Sequence, residues 1–514
     1  MWNIEKKIEF ENIKDEVLLS GGTERIEREH KKGKLTARER MELLFDDGEF
    51  LEINMLVKSR VDSGDLQKKH YLGDGVIAGY GKLNGFTVYA VSQDCTISGG
   101  SAGEAHIQKI CETLELAMKT KSPFVCLCDS GGARIEEGII SSSAYSRLFY
   151  LNTQASGYIP QIAAIMGNCA GGATYSPAMC DFVFMVENTS QFFITGPRVI
   201  KALTGESVSM DELGGPQVHS VKSGVANFVC KNDEDCINSI KELLNYLEYK
   251  KEPFDIENDS LYEENLKRIE NIVPDNMKQG YDVKKVISCI VDDNSFFEVS
   301  KDFARNMVVG FARLEGKSIG IVANQPCVLG GAIDCDASDK TARFVRFCDC
   351  FDIPLLVLLD SPGFYPGPSE EKKGILRHGS KVLYAFSEAT VPRVTVITRK
   401  AYGASYCAMN SKAMGADVVF AWPICESAVM GAEAAVNVMY NKQIAKAQNA
   451  NDFKREKIRI YEKKYLNPYF AASIGMVDEV ILPQETRKKL VFVFQNLEDK
   501  QVINYPKKHG NIPL

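Results

Sequence analysis

Apolar and polar residues come in blocks along this chain, and several apolar blocks run into glycines. The run Ile159-Pro160-Gln161-Ile162-Ala163-Ala164-Ile165 reads as a buried strand. It continues through Met166-Gly167-Asn168-Cys169-Ala170 into Gly171-Gly172-Ala173, after which Ser176-Pro177-Ala178-Met179 opens a helix. An earlier strand, Pro123-Phe124-Val125-Cys126-Leu127-Cys128-Asp129, passes in the same way into Ser130-Gly131-Gly132-Ala133-Arg134. A strand that enters glycines and then a helix leaves main-chain N–H groups without partners at the helix start. Such a place suits an anion, or an oxygen that becomes anionic during a reaction. Glycine lets the backbone approach a ligand because no Cβ intervenes. A tight turn alone would explain one Gly-Gly pair. Two junctions on neighbouring parallel strands would open at one sheet edge and line one pocket.

Other blocks are simpler. Lys34 to Phe45 places apolar residues at helical spacing behind Thr36, an N-cap residue. Two alternating runs, 75–83 and 86–91, flank Asn84-Gly85, the strongest local hairpin signal. Gly79, Gly81 and Gly85 do not form a dinucleotide fingerprint, since the spacing is wrong and no helix opens there. A helix is expected over 105–120. Its Ala117-Met118-Lys119-Thr120 is similar to a biotin-attachment sequence, but that modification needs a hairpin tip, so Lys119 reads as a solvated lysine.

From about 245 to 275 the pattern turns charged and apolar-poor, and after it the chain starts again. Gly79-Tyr80-Gly81-Lys82-Leu83-Asn84-Gly85 is echoed by Gly310-Phe311-Ala312-Arg313-Leu314-Glu315-Gly316, 231 positions on. Asp129-Ser130-Gly131-Gly132 is echoed by Asp360-Ser361-Pro362-Gly363 at the same offset. Tyr158-Ile159-Pro160-Gln161-Ile162 is echoed by Thr390-Val391-Pro392-Arg393-Val394 at 232, which sets Gly171-Gly172-Ala173 on Gly403-Ala404-Ser405. The preambles Leu43 to Phe50 and Cys289 to Phe296 correspond at 246, so the following loop is shorter in the second half. The expected organisation is α/β, two copies of one domain from an internal duplication: 1–250, a linker 251–275, and 276–514.

Composition narrows the function. With 514 residues, 45% hydrophobic and 25% charged, the chain is ordinary globular protein. A net charge of −7 argues against a nucleic-acid partner. The N-terminus has no apolar signal-peptide core, and no apolar run nears the ~20 residues needed to cross a bilayer. Fifteen cysteines lie mostly in strand-like runs, as reduced thiols of a cytoplasmic core do. There is no C-x-x-C pair and the six histidines are scattered, so no metal site is expected.

The motifs, taken together, resemble a family. Gly33-Lys34-Leu35-Thr36-Ala37-Arg38-Glu39-Arg40, Asp129-Ser130-Gly131-Gly132-Ala133-Arg134-Ile135, Ile194-Thr195-Gly196-Pro197, Ala323-Asn324-Gln325-Pro326, Ala342-Arg343-Phe344-Val345-Arg346-Phe347-Cys348-Asp349 and Ser387-Glu388-Ala389-Thr390-Val391-Pro392 occur in order along almost the whole chain. In this the chain resembles carboxyltransferase subunits of biotin-dependent acyl-CoA carboxylases: propionyl-CoA carboxylase β, transcarboxylase large subunits and acyl-CoA decarboxylase α subunits. The resemblance implies two tandem crotonase-like domains, a hexamer, and active sites completed between subunits. It implies that N–H groups around Gly172 and Ala173 polarise an acyl-CoA thioester, and that those at Ala404 and Ser405 face carboxybiotin. Gly131, Gly132, Ala133 and Arg134 would help bind coenzyme A, with Gly171, Gly403 and Cys407 beside the reacting groups. Biotin would arrive on a separate carrier protein, loaded by a biotin carboxylase or coupled to decarboxylase membrane subunits.

Departures from the family pattern gather on the biotin side. Tyr365-Pro366-Gly367-Pro368 stands where leucine and later Gln-Glu-aromatic-Gly-Gly are usual, Gly403-Ala404-Ser405 replaces Gly-Gly-Ala, and Cys407 takes a commonly acidic position. On the acyl side, Cys95 and Ser98 replace phenylalanines. Three readings stand at this stage: a carboxyltransferase loading a short acyl-CoA of propionyl or acetyl type, the α subunit of a decarboxylase running the reverse half-reaction, and a biotin-independent crotonase-like enzyme or scaffold subunit.

Overall fold

Fully buried apolar runs need cover on both faces, and that requirement organises each half of the chain. A computed structural model describes residues 3–60, 71–247, 264–503 and 505–514. The chain divides into two units, Met1–Asn245 and Tyr246–Leu514.

In the first unit the strands are β1 (Phe50–Glu52), β2 (Val76–Leu83), β3 (Phe86–Gln93), β4 (Phe124–Ser130), β5 (Gln161–Ala170), β6 (Phe182–Val186), β7 (Gln191–Phe193) and β8 (Phe228–Cys230). Their order is β1-β2-β3-β4-β5-β6-β8, with β7 beside the end of β5. β2 and β3 form the expected hairpin; Asn84 and Gly85 both take positive φ, +49° and +87°, as its tight turn demands. From β3 onward the pairings are parallel. β4 is buried at all seven positions, the pattern of a central parallel strand covered by helices. The helices Glu104–Thr120 and Ile139–Ala155 send Ile107, Leu114, Leu148 and Leu151 into that cover.

The second unit repeats the design with β9 (Phe297–Val299), β10 (Met307–Leu314), β11 (Lys317–Asn324), β12 (Leu355–Ser361), β13 (Arg393–Tyr402), β14 (Val418–Ala421), β15 (Glu426–Ala428) and β16 (Glu479–Val480). Its order, β9-β10-β11-β12-β13-β14-β16 with β15 beside β13, matches the first strand for strand. Small irregularities are copied too. The register shifts once along β4–β5, between Cys128 and Ser130, and once along β12–β13, between Leu359 and Ser361. Lys109 and Lys340, 231 positions apart, are both buried and donate to main-chain carbonyls; burial lowers each to about 8.

Part of the stretch read as a linker, 251–263, lies outside the described residues. Beyond it, Leu266, Ile269 and Val273 are buried in the second core with Val308, Leu356 and Val394. Their spacing is helical, but three apolar residues in a charged segment gave too weak a periodicity to assign.

Candidate active site

β4 and β5 lie side by side and parallel, so their glycine junctions open at one sheet edge. They are in close approach: a Cβ on Gly132 would stand 2.7 Å from the Ala170 carbonyl oxygen, and Gly132 holds φ at +97°. Gly131 is exposed, Ala133 half-buried. After β5, Gly171 takes φ +62° and gives its N–H to the Ile194 carbonyl at 3.1 Å. A 3₁₀ turn, Gly171–Thr174, follows, and Thr174 Oγ1 closes it on the Gly171 carbonyl at 2.7 Å. Such a turn bonds each N–H to a carbonyl three residues back. By that rule the Ala173 N–H is directed at Ala170, while the Gly172 N–H, at the start of the turn, has no acceptor inside it.

In the second unit Gly403 likewise turns the chain, at φ +56°, but an α-helix, Gly403–Ala408, starts at once. α-Winding leaves the first-turn N–H groups unpaired, Ala404 and Ser405 among them. Ser405 is buried, its hydroxyl donating to the Tyr402 carbonyl at 2.7 Å, whereas Ala404 and Cys407 are exposed on the same helix. The two junctions therefore share register and entry glycine but differ in winding. This difference was not in the sequence, where Gly172-Ala173 and Ala404-Ser405 read as equivalent pairs.

Below the first junction lies a polar network with Asp129 at its centre. The Gln93 side-chain oxygen accepts the Asp129 main-chain N–H at 3.2 Å, and the Gln93 amide reaches His106 Nε2 at 3.2 Å. His106 Nδ1 faces the Asp74 carbonyl at 2.9 Å, so its partners fix the neutral Nδ1–H tautomer. Burial first, then the nearby Arg134 and Lys109 charges, hold this histidine down to about 3 against the Asp74 carbonyl's opposing pull. Arg134 is committed inward: its guanidinium donates to Asp74 at 2.7 Å, Glu137 at 2.9 Å and the Ser101 carbonyl at 2.9 Å. It braces the loop instead of presenting a free charge.

The Asp129 carboxylate is held by cations from far away in sequence. Lys34 Nζ lies 2.5 Å from it, and Arg40, almost fully buried, reaches Asp129 at 3.3 Å, Asp233 at 2.8 Å and the Met166 carbonyl at 3.2 Å. Glu29, Cys95 and Asp129 bring three metal-capable atoms within 4.8 Å of one another. The Lys34 ammonium stands among them, 2.7 Å from Glu29 and 3.5 Å from Cys95, and supplies the positive charge itself. Burial opposes ionisation of Glu29, but hydrogen bonds from Lys32 and Lys34 outweigh it and hold the carboxyl down to about 2. In the second unit the counterpart Asp360 takes Arg399 at 2.9 Å and Lys400 at 3.3 Å, both from β13 itself. Asn324 plays the part of Gln93, accepting the Asp360 N–H at 3.3 Å. Asp129, Asp360, Lys34 and Arg40 stand inside motifs of the sequence, where no local pattern marks them as partners. The repetition of the aspartate at an offset of 231 was the signal available.

Residues 28–512 match the family model described as the carboxyl transferase domain. The chain belongs to the carboxyl transferase family. Among curated carboxyl transferases, methylmalonyl-CoA decarboxylase subunit alpha of Propionigenium modestum is 47% identical over 514 residues, covering 99% of each chain. The propionyl-CoA carboxylase beta chain of Cereibacter sphaeroides is 47% identical over 511 residues, covering 98% of this chain and 99% of its own. A solved structure of the transcarboxylase 12S hexamer, with methylmalonyl-coenzyme A and methylmalonic acid bound, is similar at a TM-score of 0.95 and 46% identity, over 99% of this chain and 98% of that one. The two carboxyl transferase units thus have the crotonase-like α/β fold. Among the described residues no helix is long and apolar enough to cross a membrane.

Proposed function

We propose that this subunit moves a carboxyl group between carboxybiotin, held on a separate carrier protein, and the α-carbon of a short-chain acyl-CoA, with the acyl thioester served by the first unit and the biotin ureido group by the second. The observation that carries this is the repeated strand–glycine–helix junction, with main-chain N–H groups left unpaired at Gly172 and at Ala404 and Ser405. Removing a proton beside a thioester, or releasing CO₂ there, builds negative charge on the carbonyl oxygen. Fixed N–H dipoles stabilise that oxyanion in place, without solvent reorganisation. Bound biotin supplies the nitrogen that carries the carboxyl group. Gly131, Gly132 and Ala133 offer backbone to coenzyme A, Gly171 and Gly403 set the turns, and Cys407 lies exposed where it can face the acyl group.

Relatives named as a carboxylase and as a decarboxylase are equally similar to this chain, so its partners set the direction: a biotin carboxylase with a carrier, or decarboxylase membrane subunits. The working form is a cytoplasmic homohexamer in which one subunit's first unit meets another's second. Exposed apolar residues beside each junction, Ile194 and Val429, support that arrangement.

The test is decarboxylation of malonyl- or methylmalonyl-CoA with free biotin as acceptor. Gly172→Pro deletes the acyl-side N–H and should lower turnover ~10²–10³-fold. Ala404→Pro, at a helix position that tolerates proline, should abolish transfer to biotin while acyl-CoA binding measured by calorimetry persists. A folded Ala404→Pro protein that transfers at the parental rate would remove the biotin assignment.

A further inference from the structure

One aromatic side chain touches both junctions of the first unit. Tyr145, on the helix Ile139–Ala155, is 4% exposed. Its ring lies against Gly172: a Cβ added there would stand 3.5 Å from Tyr145 Cδ2 and 3.6 Å from Cε2. Its hydroxyl is buried and lies next to Ser130. Ser130 in turn fixes the junction after β4, its Oγ donating to the Gly100 carbonyl at 2.6 Å and accepting the Gly132 N–H at 3.2 Å. The phenol stays neutral, since burial and then the neighbouring Cys169 push its pKa up. The ring also continues outward through Phe149, 5.9 Å away, to Tyr175 at the mouth of the turn, 5.8 Å further.

The ring stands between Gly172 and Ser130, against both junctions, and that place gives it a task. We propose that Tyr145 is a positioning residue of the acyl-side site: its ring holds the Gly172 N–H at a set distance from the Gly131-Gly132 turn, so that one acyl-CoA meets both at once. The inference rests on the acyl-side reading above. The second unit builds this region differently. There the helix Ile375–Glu388 offers Gly379 to the ring of Phe364, which comes from the loop after β12; an added Cβ would stand 2.7 Å from that ring's Cε1.

The experiment compares the parent protein with Tyr145→Phe and Tyr145→Leu. One readout is the infrared stretch of the thioester carbonyl in bound propionyl-CoA labelled with ¹³C at that carbon. The other is the steady-state decarboxylation of methylmalonyl-CoA with free biotin. Misplacing an N–H by about 1 Å costs ~10²-fold in rate. Tyr145→Leu should therefore lower kcat by ~10² with KM within about threefold, and should lose most of the carbonyl shift. Tyr145→Phe keeps the ring and should remain near parental in both. If Tyr145→Leu does not fold, Tyr145→Met, flexible and without a flat ring, carries the same expectation. A leucine or methionine variant with parental kcat and full carbonyl shift would overturn the inference, as would a rise in KM alone. A phenylalanine variant as impaired as leucine would also overturn it, because the hydroxyl would then be the working group. Absence of any carbonyl shift in the parent would instead overturn the acyl-side reading on which the inference rests.

Discussion

Gly171 and Gly172 stand side by side, and the structure asks different things of them. Gly171 holds φ +62°, a region where an L side chain costs roughly 1–2 kcal/mol, whereas the Cβ of an alanine at 172 would make ordinary contact with the Tyr145 ring at 3.5 Å. Gly171→Ala should lower stability by that amount and impair turnover, while Gly172→Ala should stay near parental in both. Urea denaturation with parallel kinetics checks the pair, and a reversed order of damage would mean that the junction is held differently. The sequence made the Gly-Gly pair visible but not the distinction within it, since a positive φ leaves no mark beyond glycine itself. Arg134 illustrates the converse. As a charge beside a glycine turn it read as a ligand contact, and only its partners Asp74 and Glu137, one of them 60 positions away, commit it inward.

The N-terminal helices do at the scale of elements what the strands alone cannot. The helix Ala37–Leu44 begins with the capping box of Thr36 and Glu39, as its sequence led one to expect. What it carries, Arg40, finds Asp129 and Asp233 at separations of 89 and 193 residues, beyond any local pattern. Breaking a buried ion pair from one side leaves an uncompensated charge, typically ~3–5 kcal/mol. Arg40→Met should cost that much, seen as a lowered urea midpoint; Lys34, still on Asp129, does not reach Asp233 in its place. A loss below about 1 kcal/mol would show that the clamp contributes little. Strands, hairpin and junctions were legible because periodicity and glycine are local signals. The winding after each junction was not, because 3₁₀ and α starts share the same residues.

At the scale of the molecule, the duplication extends to what is left uncovered. Ile194 and Val429, each following the short strand beside a junction, are 60% and 76% exposed; Leu203 and Val438, on the helices that come next, are 79% and 71% exposed. Matching apolar positions in both units mark surfaces meant to be covered by further copies of the chain. Light scattering at micromolar concentration should find a homo-oligomer, and Leu203→Glu combined with Val438→Glu should shift it toward smaller species. A monodisperse monomer in the parent would discard this. The duplicated plan also contains an exchange of parts. Asp360 takes its cations from β13, at Arg399 and Lys400; the matching places on β5 are Gly167 and Asn168, and Asp129 depends on the N-terminal helices. A Cβ at 167 would now fall 2.0 Å from the Asp129 carboxylate. With the helical donors on Asp129 and no room for a side chain at 167, a strand-borne arginine does not fit the first unit, so the two halves, however alike in outline, are not interchangeable.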